Sequence, residues 1–469
     1  MKRLFLLLFL AVLASPLSAK IIVATSGNQS AVQSAIDSAS PGDTVQIPDG
    51  TFSWSGTLGI GKAIVLKGQN KDATTISCKN SGVDTIKATE PLSGNLEIAD
   101  LDFDFVLKQN TTNFVIRVGM ASPRGSGRVL VHDCNFKSNY AYSVEWGVNG
   151  GVMWNCNFDG TNADGLTGIS FVGHGNDEDW TRPSTLGTLD TDGKQNTYIE
   201  DCNFHIAPIA MCNFDDNSRT VIRHCTFDDA ALGSHGQETS PKGARQWELY
   251  DCTFTSSPDN RYNMNAYFGV RGGTGVVTDN DMGLVPWSKN TINLCVYSTR
   301  RKGQIPCQTS YPAARQIGQG WKGAGGYNYP SVPEDGTGYF TDPIYVWNNR
   351  GDATKTPNFV SPNQYEPDEC GNNQPISKYV QKDRDYFLSA KPGYAKYPYP
   401  HPMRVAAEGG PTPNPTPTAT PIPPTPSPSP TATPPQPTPT PRPPVQTWEK
   451  WIENLDNYIR ANPPYPDQQ

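Results

Sequence analysis

Between residues 233 and 254 the chain reads GSHGQETSPKGARQWELYDCTF, which packs His235, Glu238, Lys242 and Arg245 into one polar run before a strand-like stretch begins. An imidazole or a desolvated amine can take a proton from carbon, and a guanidinium can hold the negative charge that then develops. Arg271, in Arg271-Gly-Gly, is a further cation of that kind. Asp215 and Asp216 are adjacent acids, and with Glu238 they offer the hard oxygen donors that calcium prefers. The stretch GHGNDEDWTRP, residues 173–183, contributes His174 and Trp180, an indole suited to stacking on a sugar ring. Each group also has a plainer reading, as a turn cap, a solvated acidic loop or an outward residue on a polar strand. No phosphate loop, nucleophile elbow or zinc spacing is present, which argues against nucleotide and redox chemistry.

These residues must be held by something, and the cysteines say what. Six of the ten sit in one context: Cys134-Asn-Phe, Cys156-Asn-Phe, Cys202-Asn-Phe, Cys212-Asn-Phe, Cys225-Thr-Phe and Cys252-Thr-Phe. Leaving out Cys212, the intervals are 22, 46, 23 and 27 residues, a period that marks a solenoid. Three residues before each Cys stands Val131, Met153, Ile199, Ile222 or Leu249, and one before it Asp133, Asn155, Asp201, His224 or Asp251. Positions three apart cannot share a face of one strand, so two strands must meet at a corner, and the polar residue is the corner. Cys and the Phe two residues on then point inward, and the Cys column is a buried, reduced filler. Ile98 to Phe103 and Val277 to Met282 are degenerate copies, and Cys212 belongs to another face of its rung. Cys295, Cys307 and Cys370 lie outside the repeat and are the better disulfide candidates.

At the front, Gln29 to Ser38 predicts a short helix with Val32, Ala35 and Ile36 on one side. The strings AVQSAIDSASPGDTVQIPDGTF and AIVLKGQNKDATTIS, together with the repeat, resemble the cap and first coil of pectate-lyase-like right-handed parallel β-helix proteins. The resemblance covers roughly residues 21–285 and implies an all-β solenoid with an N-terminal helical cap. The paired acids Asp215-Asp216 and Asp228-Asp229, followed by Gly-Ser-His235-Gly, faintly resemble polygalacturonases, which would imply hydrolysis. A closer match is to the alginate and chondroitin lyases of this fold, in which a Lys base precedes an Asn-x-Phe rung and an Arg lies on the next. Lys242 before Cys252-Thr-Phe254, and Arg271 before Asp279-Asn280-Asp-Met282, fit that order, although Gly272 replaces the expected His. The resemblance implies a calcium-assisted uronate lyase with Lys242 as base and Arg271 or Arg245 stabilising the developing charge; read from the residues themselves, His235 is a further catalytic candidate, Trp180 and His174 are expected on substrate, and Glu238, Asp215 and Asp216 on calcium. The alternatives are a non-catalytic surface adhesin or assembly protein, a polygalacturonase-like hydrolase and a phage-type depolymerase.

Lys2-Arg3, the apolar run Leu4 to Leu13 and the small residues Ser15 to Ala19 predict a signal peptide spanning residues 1–19, and hence a secreted, periplasmic or surface-associated protein without a membrane span. The net charge of −7, which removal of Lys2 and Arg3 makes more acidic, argues against nucleic acid as a partner. The solenoid is expected over 20–404, with its cap at 20–55, regular coils at 56–285, and further coils and closing loops at 286–404. Within the closing region, GYAKYPYPHP, residues 393–402, reads as a cap over exposed strand edges or as a sugar platform. Residues 405–446 are a Pro/Thr/Ser linker. Trp448, Trp451, Ile452, Leu455 and Ile459 place an apolar stripe on a helix within 447–469, whose 447–461 stretch should dock on a protein partner, a second copy or the β-helix itself.

Overall fold

The computed structural model describes residues 19–78, 82–105, 114–122, 124–138, 142–160, 171–173, 175, 183–205, 212–215, 217–235, 243–255, 267–283, 292–294, 317–321, 339–351, 360–361, 365–367, 373–375 and 380–410. The signal peptide, linker and tail-helix expectations lie outside this set, apart from Ala19 and residues 405–410, as do Cys295, Cys307 and Cys370. Three parallel sheets of twelve, ten and ten strands run side by side, and the chain visits first, second and third sheet in turn before climbing one rung. That is a parallel β-helix. Helix α1, Gln29–Ser38, buries Val32, Ala35 and Ile36 against the first coil, as the periodicity requires. Among the described residues no helix is long and apolar enough to cross a membrane.

The corner read from the repeat is a backbone conformation. Asp100, Asp133, Asn155, Asp201, His224, Asp251 and Asp279 all have positive φ, between 49° and 57°. Asp and Asn tolerate this left-handed region because their short polar side chains bond locally, and one such residue turns the chain from the first sheet into the second. After the corner, Phe103, Phe136, Phe158, Phe204, Phe227 and Phe254 stack with centroids 4.7–5.3 Å apart and rings within 13° of parallel. Cys134, Cys156, Cys202, Cys225 and Cys252 are buried and free, each thiol directed at the carbonyl two residues before it. Cys212 starts a third-sheet strand, which explains its break with the period.

The 46-residue interval is a single coil, because Asn157 pairs with Asn203 and Phe158 with Phe204 on adjacent rungs. The surplus residues therefore lie between strands and add no rung. The solenoid resumes at Ile344–Trp347, beside Thr274–Thr278.

The segment 394–407 is a strap across the outer face of the first sheet, where the sequence expected a cover over strand edges. It runs backwards along the solenoid: Tyr394 donates to Glu248 at 2.7 Å, the Tyr397 hydroxyl meets Asn196 and Thr185, and Tyr399 donates to Asp201 at 2.8 Å. Helix α2, Pro402–Ala407, then packs near the strand Val152–Trp154. Beneath it Glu200 and Arg223, both fully buried, pair at 2.5 Å, and Arg223 also donates to the carbonyls of Tyr397 and Pro398. Aromatic rings of this segment are thus occupied by the protein's own face.

Candidate functional site

Third-sheet strands Cys212–Phe214, Leu232–Ser234 and Phe268–Val270 lie on successive rungs, with Phe214, Ser234 and Val270 in register and turned inward. The ladder continues one residue further: Asp215 donates its N–H to Gly173, His235 to Phe214 and Arg271 to Ser234, at 2.9, 2.7 and 3.1 Å. Alternation along a strand turns these three side chains to the outer face, one per rung, about 4.8 Å apart. Asp215, His235 and Arg271 therefore form a column, with His235 Nδ1 3.4 Å from Asp215 Oδ2. All three are buried, His235 completely.

Arg245 joins them through the backbone. Ala244 donates to the His235 carbonyl at 2.9 Å, so the chain leaves the coil after His235 and re-enters it there. The surplus in the 27-residue interval from Cys225 to Cys252 falls at this point. Arg245 itself is fully buried at the corner between third and first sheets, where its Nη2 meets Asp342 at 2.6 Å and Asp342 accepts from the Ser184 hydroxyl at 2.7 Å. Burial lowers the basicity of this guanidinium, and Asp342 works against that effect. The pair spans 97 residues, so nothing local in the sequence announced Asp342 as a partner.

The Asp215 end of the column is set by a turn. Ser218 donates to the Asp215 carbonyl at 2.8 Å, with Asn217 at φ 63° inside the turn. Asn149 braces it from below, its amide donating to the Asn217 carbonyl at 3.1 Å and accepting from the Arg219 N–H at 2.7 Å. Gly175 lies in the same corner, where a Cβ would fall 2.2 Å from that carbonyl.

Of the residues expected to do chemistry, Asp215, His235, Arg245 and Arg271 are brought together at one end of the third sheet. Lys242, Glu238, Asp216, His174 and Trp180 lie outside the described residues. By chain position Glu238 and Lys242 fall between His235 and Gly243, and His174 directly follows Gly173. Among the described residues no three metal-ligating side chains cluster, and Asp215 faces His235, so the calcium expectation rests on Asp216 and Glu238. The second acid pair is elsewhere: Asp228 sits on the second sheet, 2.8 Å from His205 and accepting from Thr255 at 2.6 Å.

No family model matches this sequence, and no curated protein does. Its likeness is to solved structures. An alginate lyase from Paenibacillus sp. str. FPU-7 matches at 13% identity and a TM-score of 0.35, over 59% of this chain and 91% of the other. The pectin methylesterase of Aspergillus niger matches at 9% identity and 0.37, over 74% and 91%. A mannuronic acid specific polysaccharide family 6 lyase from human gut microbiota matches at 16% identity and 0.36, over 73% and 78%. At these scores the overlays add nothing about activity beyond the fold that the strand order already establishes.

The other outer faces are differently furnished. The first sheet is occupied by the strap. The second presents a ladder of amides, Asn157 donating to Asn135 and Asn203 to Asn157 at 2.9 Å each, which satisfies its own members. Among the described residues, the column of Asp215, His235 and Arg271 lies on the third sheet, with Arg245 at its corner.

Proposed function

We propose that this chain is an exported, polysaccharide-active β-helix protein that cleaves an acidic glycan by β-elimination at a uronate unit. The observation that supports this reading is the column of Asp215, His235 and Arg271 on three consecutive rungs. Asp215 orients the imidazole, and His235 takes the proton from C5 of the uronate. Arg271, one rung on, neutralises the uronate carboxylate, and in a buried setting that pairing is much stronger than in water. The electron pair left at C5 becomes the C4–C5 double bond as the bond from C4 to the glycosidic oxygen breaks. Lys242 returns a proton to that oxygen. Calcium held by Asp216 and Glu238 would add a further positive charge at the carboxylate. Arg245, pinned to Asp342, fixes the corner on which the column stands, and Trp180 with His174 would contact neighbouring sugars.

The test is to incubate the full chain with alginate, pectate and glycosaminoglycans and follow new unsaturated ends by ultraviolet absorbance. His235→Asn and Arg271→Ala should each lower kcat/KM at least about a hundredfold, and chelation should lower activity further. New reducing ends without unsaturation would replace elimination by hydrolysis. If no panel member is cut while the full chain self-associates through residues 447–461, the protein is an adhesin or assembly element.

A further inference from the structure

The solenoid begins with an edge strand that little holds in place. Ile21–Val23 pairs with Thr44–Ile47 at the end of the twelve-stranded sheet, and Ile21 and Val23 are 68 % and 56 % exposed. Of its three residues, Ile22 alone packs against the core. The residue ahead of this strand meets a carboxylate. Ser40-Pro41-Gly42-Asp43 forms a turn, with the Asp43 N–H on the Ser40 carbonyl at 3.0 Å and Gly42 at φ 91°. The turn folds the Asp43 side chain back, so that Oδ2 accepts from the Ser40 N–H at 2.8 Å and Oδ1 from the Lys20 N–H at 3.1 Å. Asp43 is 4 % exposed, yet the cation recorded beside it is the side-chain ammonium of Lys20, 3.6 Å away on a side chain that is 57 % exposed. Other charges on these turns are engaged elsewhere: Lys62 Nζ donates to the carbonyls of Ile36, Asp37 and Ala39, and the Asp37 carboxylate accepts from Gln33. A buried carboxylate held by backbone N–H groups is best matched by a close, full positive charge.

The leader expected from the sequence ends at Ala19, so the backbone nitrogen lying on Asp43 is the one that its removal frees. We propose that the Ala19–Lys20 bond is the processing site of the exported chain, and that the α-ammonium released there pairs with Asp43 and clips the first strand to the cap. The cut needs water and a leader peptidase. The bond from the Ala19 carbonyl carbon to the Lys20 nitrogen breaks, water supplies the oxygen that makes Ala19 a carboxylate, and the nitrogen keeps the electron pair and takes up protons to become an ammonium. Ala19 and Lys20 are both exposed, so the bond between them is open to solvent. The new ammonium keeps the donor position that the amide holds on Oδ1 and brings a full charge to it, which turns a neutral contact into a charge-assisted one. Maturation thereby anchors the start of an edge strand that offers two apolar side chains to solvent, the kind of edge that invites wrong pairing when it frays. The clip is independent of the glycan chemistry and lies far along the solenoid from the third-sheet column, ten strands of the first sheet being stacked above this one before the chain ends.

Export of the full chain with its leader, followed by intact-mass measurement and N-terminal sequencing, should give a protein that begins at Lys20; a start at any other residue overturns the proposal. The clip itself is read by titrating the α-amine, labelled by carbon-13 reductive methylation, in chains that begin at Lys20 and at Ala19. An ammonium paired with a carboxylate holds its proton more tightly, so the Lys20 α-amine should titrate at least about one unit above the ordinary range of about 7.7–8.0, and the Ala19 α-amine within it. Asp43→Asn should return the Lys20 α-amine to that range. A base whose pKa is raised on folding stabilises the fold below its ordinary value and loses that contribution as pH rises through the folded one. The Lys20 chain should therefore melt about 1–3 °C above the Ala19 chain near neutral pH, with the gap closing by about pH 10.5. An ordinary titration of the Lys20 α-amine overturns the clip, and so does a raised one that survives Asp43→Asn. If Asp43→Asn does not fold, the two starts of the unsubstituted chain decide: equal titration of their α-amines overturns the clip, and a raised value confined to Lys20 supports it.

Discussion

His401 shows how much a single residue of this protein can carry. It is buried under the strap, its ring tilted against Tyr198 with centroids 4.3 Å apart, with Nε2 on the Asp190 carbonyl at 3.0 Å and Nδ1 accepting from Met403 to cap α2. Burial first, and then the Arg223 guanidinium, depress its pKa to about 3. A base whose pKa is lowered on folding takes up protons on unfolding, so its contribution is present above the ordinary histidine pKa and is lost as pH falls from about 6.5 towards 3. We expect about 2 kcal/mol of stability to have gone by pH 5, with Glu200 and Arg223 losing their cover. Thermal melts between pH 7 and 5 check this, and His401→Gln should flatten the slope; an equal slope in that variant would acquit the residue. Glu248 opposes the trend, because burial raises its carboxyl to about 7 and its contribution therefore falls as pH rises from about 4.5 to 7.

At the scale of the element, the unit is one coil, and its two diagnostic positions act through the backbone and the core. Asn155 at φ 51° occupies a corner that a β-branched residue enters only at a cost. Asn155→Val should lose about 1–2 kcal/mol and Asn155→Gly well under 1 kcal/mol, read from denaturant midpoints. Were the two variants equal, the left-handed backbone would not be what the polar column is for. The cysteine ladder makes a different forecast. Burial drives the thiols of Cys156, Cys202, Cys225 and Cys252 well above their ordinary range and that of Cys78 to about 12. Thiolate is the reactive form, so these five should resist a thiol reagent in the native state and react fully in denaturant. Cys134 should behave alike because its burial bars the reagent. Quantitative labelling without denaturant would contradict a packed core.

Across the whole molecule, the strap ties late chain to middle rungs. Tyr397, Met403 and Ala407 pack with Trp154, Tyr198, Val221 and Tyr250 in an apolar cluster separate from the solenoid core. Lys396 bridges Asp251 and Asp279 across two corners, and Arg404 reaches Glu200 and Asp201. Removing residues 394–469 should therefore lower Tm sharply and promote aggregation, because it bares aromatic rings and strands the Glu200–Arg223 pair without its roof. A chain ending at Gly410 keeps every strap contact named here, so a fall in its Tm would report docking of the tail helix on the β-helix itself. Light scattering of that chain against the full protein then reports whether the tail helix supports self-association.

The local grammar of one coil was already written in the residues. Val131, the αL corner at Asp133, Cys134 and Phe136 recur because each must satisfy a backbone angle or an inward position that is the same on every rung. Helix α1 was legible for the same reason, its apolar spacing being a local property. What the sequence alone determined was thus the repeat, the corner and the contents of the core. Other facts were decided by the tertiary structure alone: the 46-residue interval is one coil, Arg245 meets Asp342, and the GYAKYPYPHP stretch covers a sheet face. So was the meeting of Asp215, His235 and Arg271, dispersed over 57 positions of sequence yet one rung apart in space. Register between distant strands sets such neighbours, and register depends on how many residues each loop spends outside the coil, which periodicity within a coil does not encode.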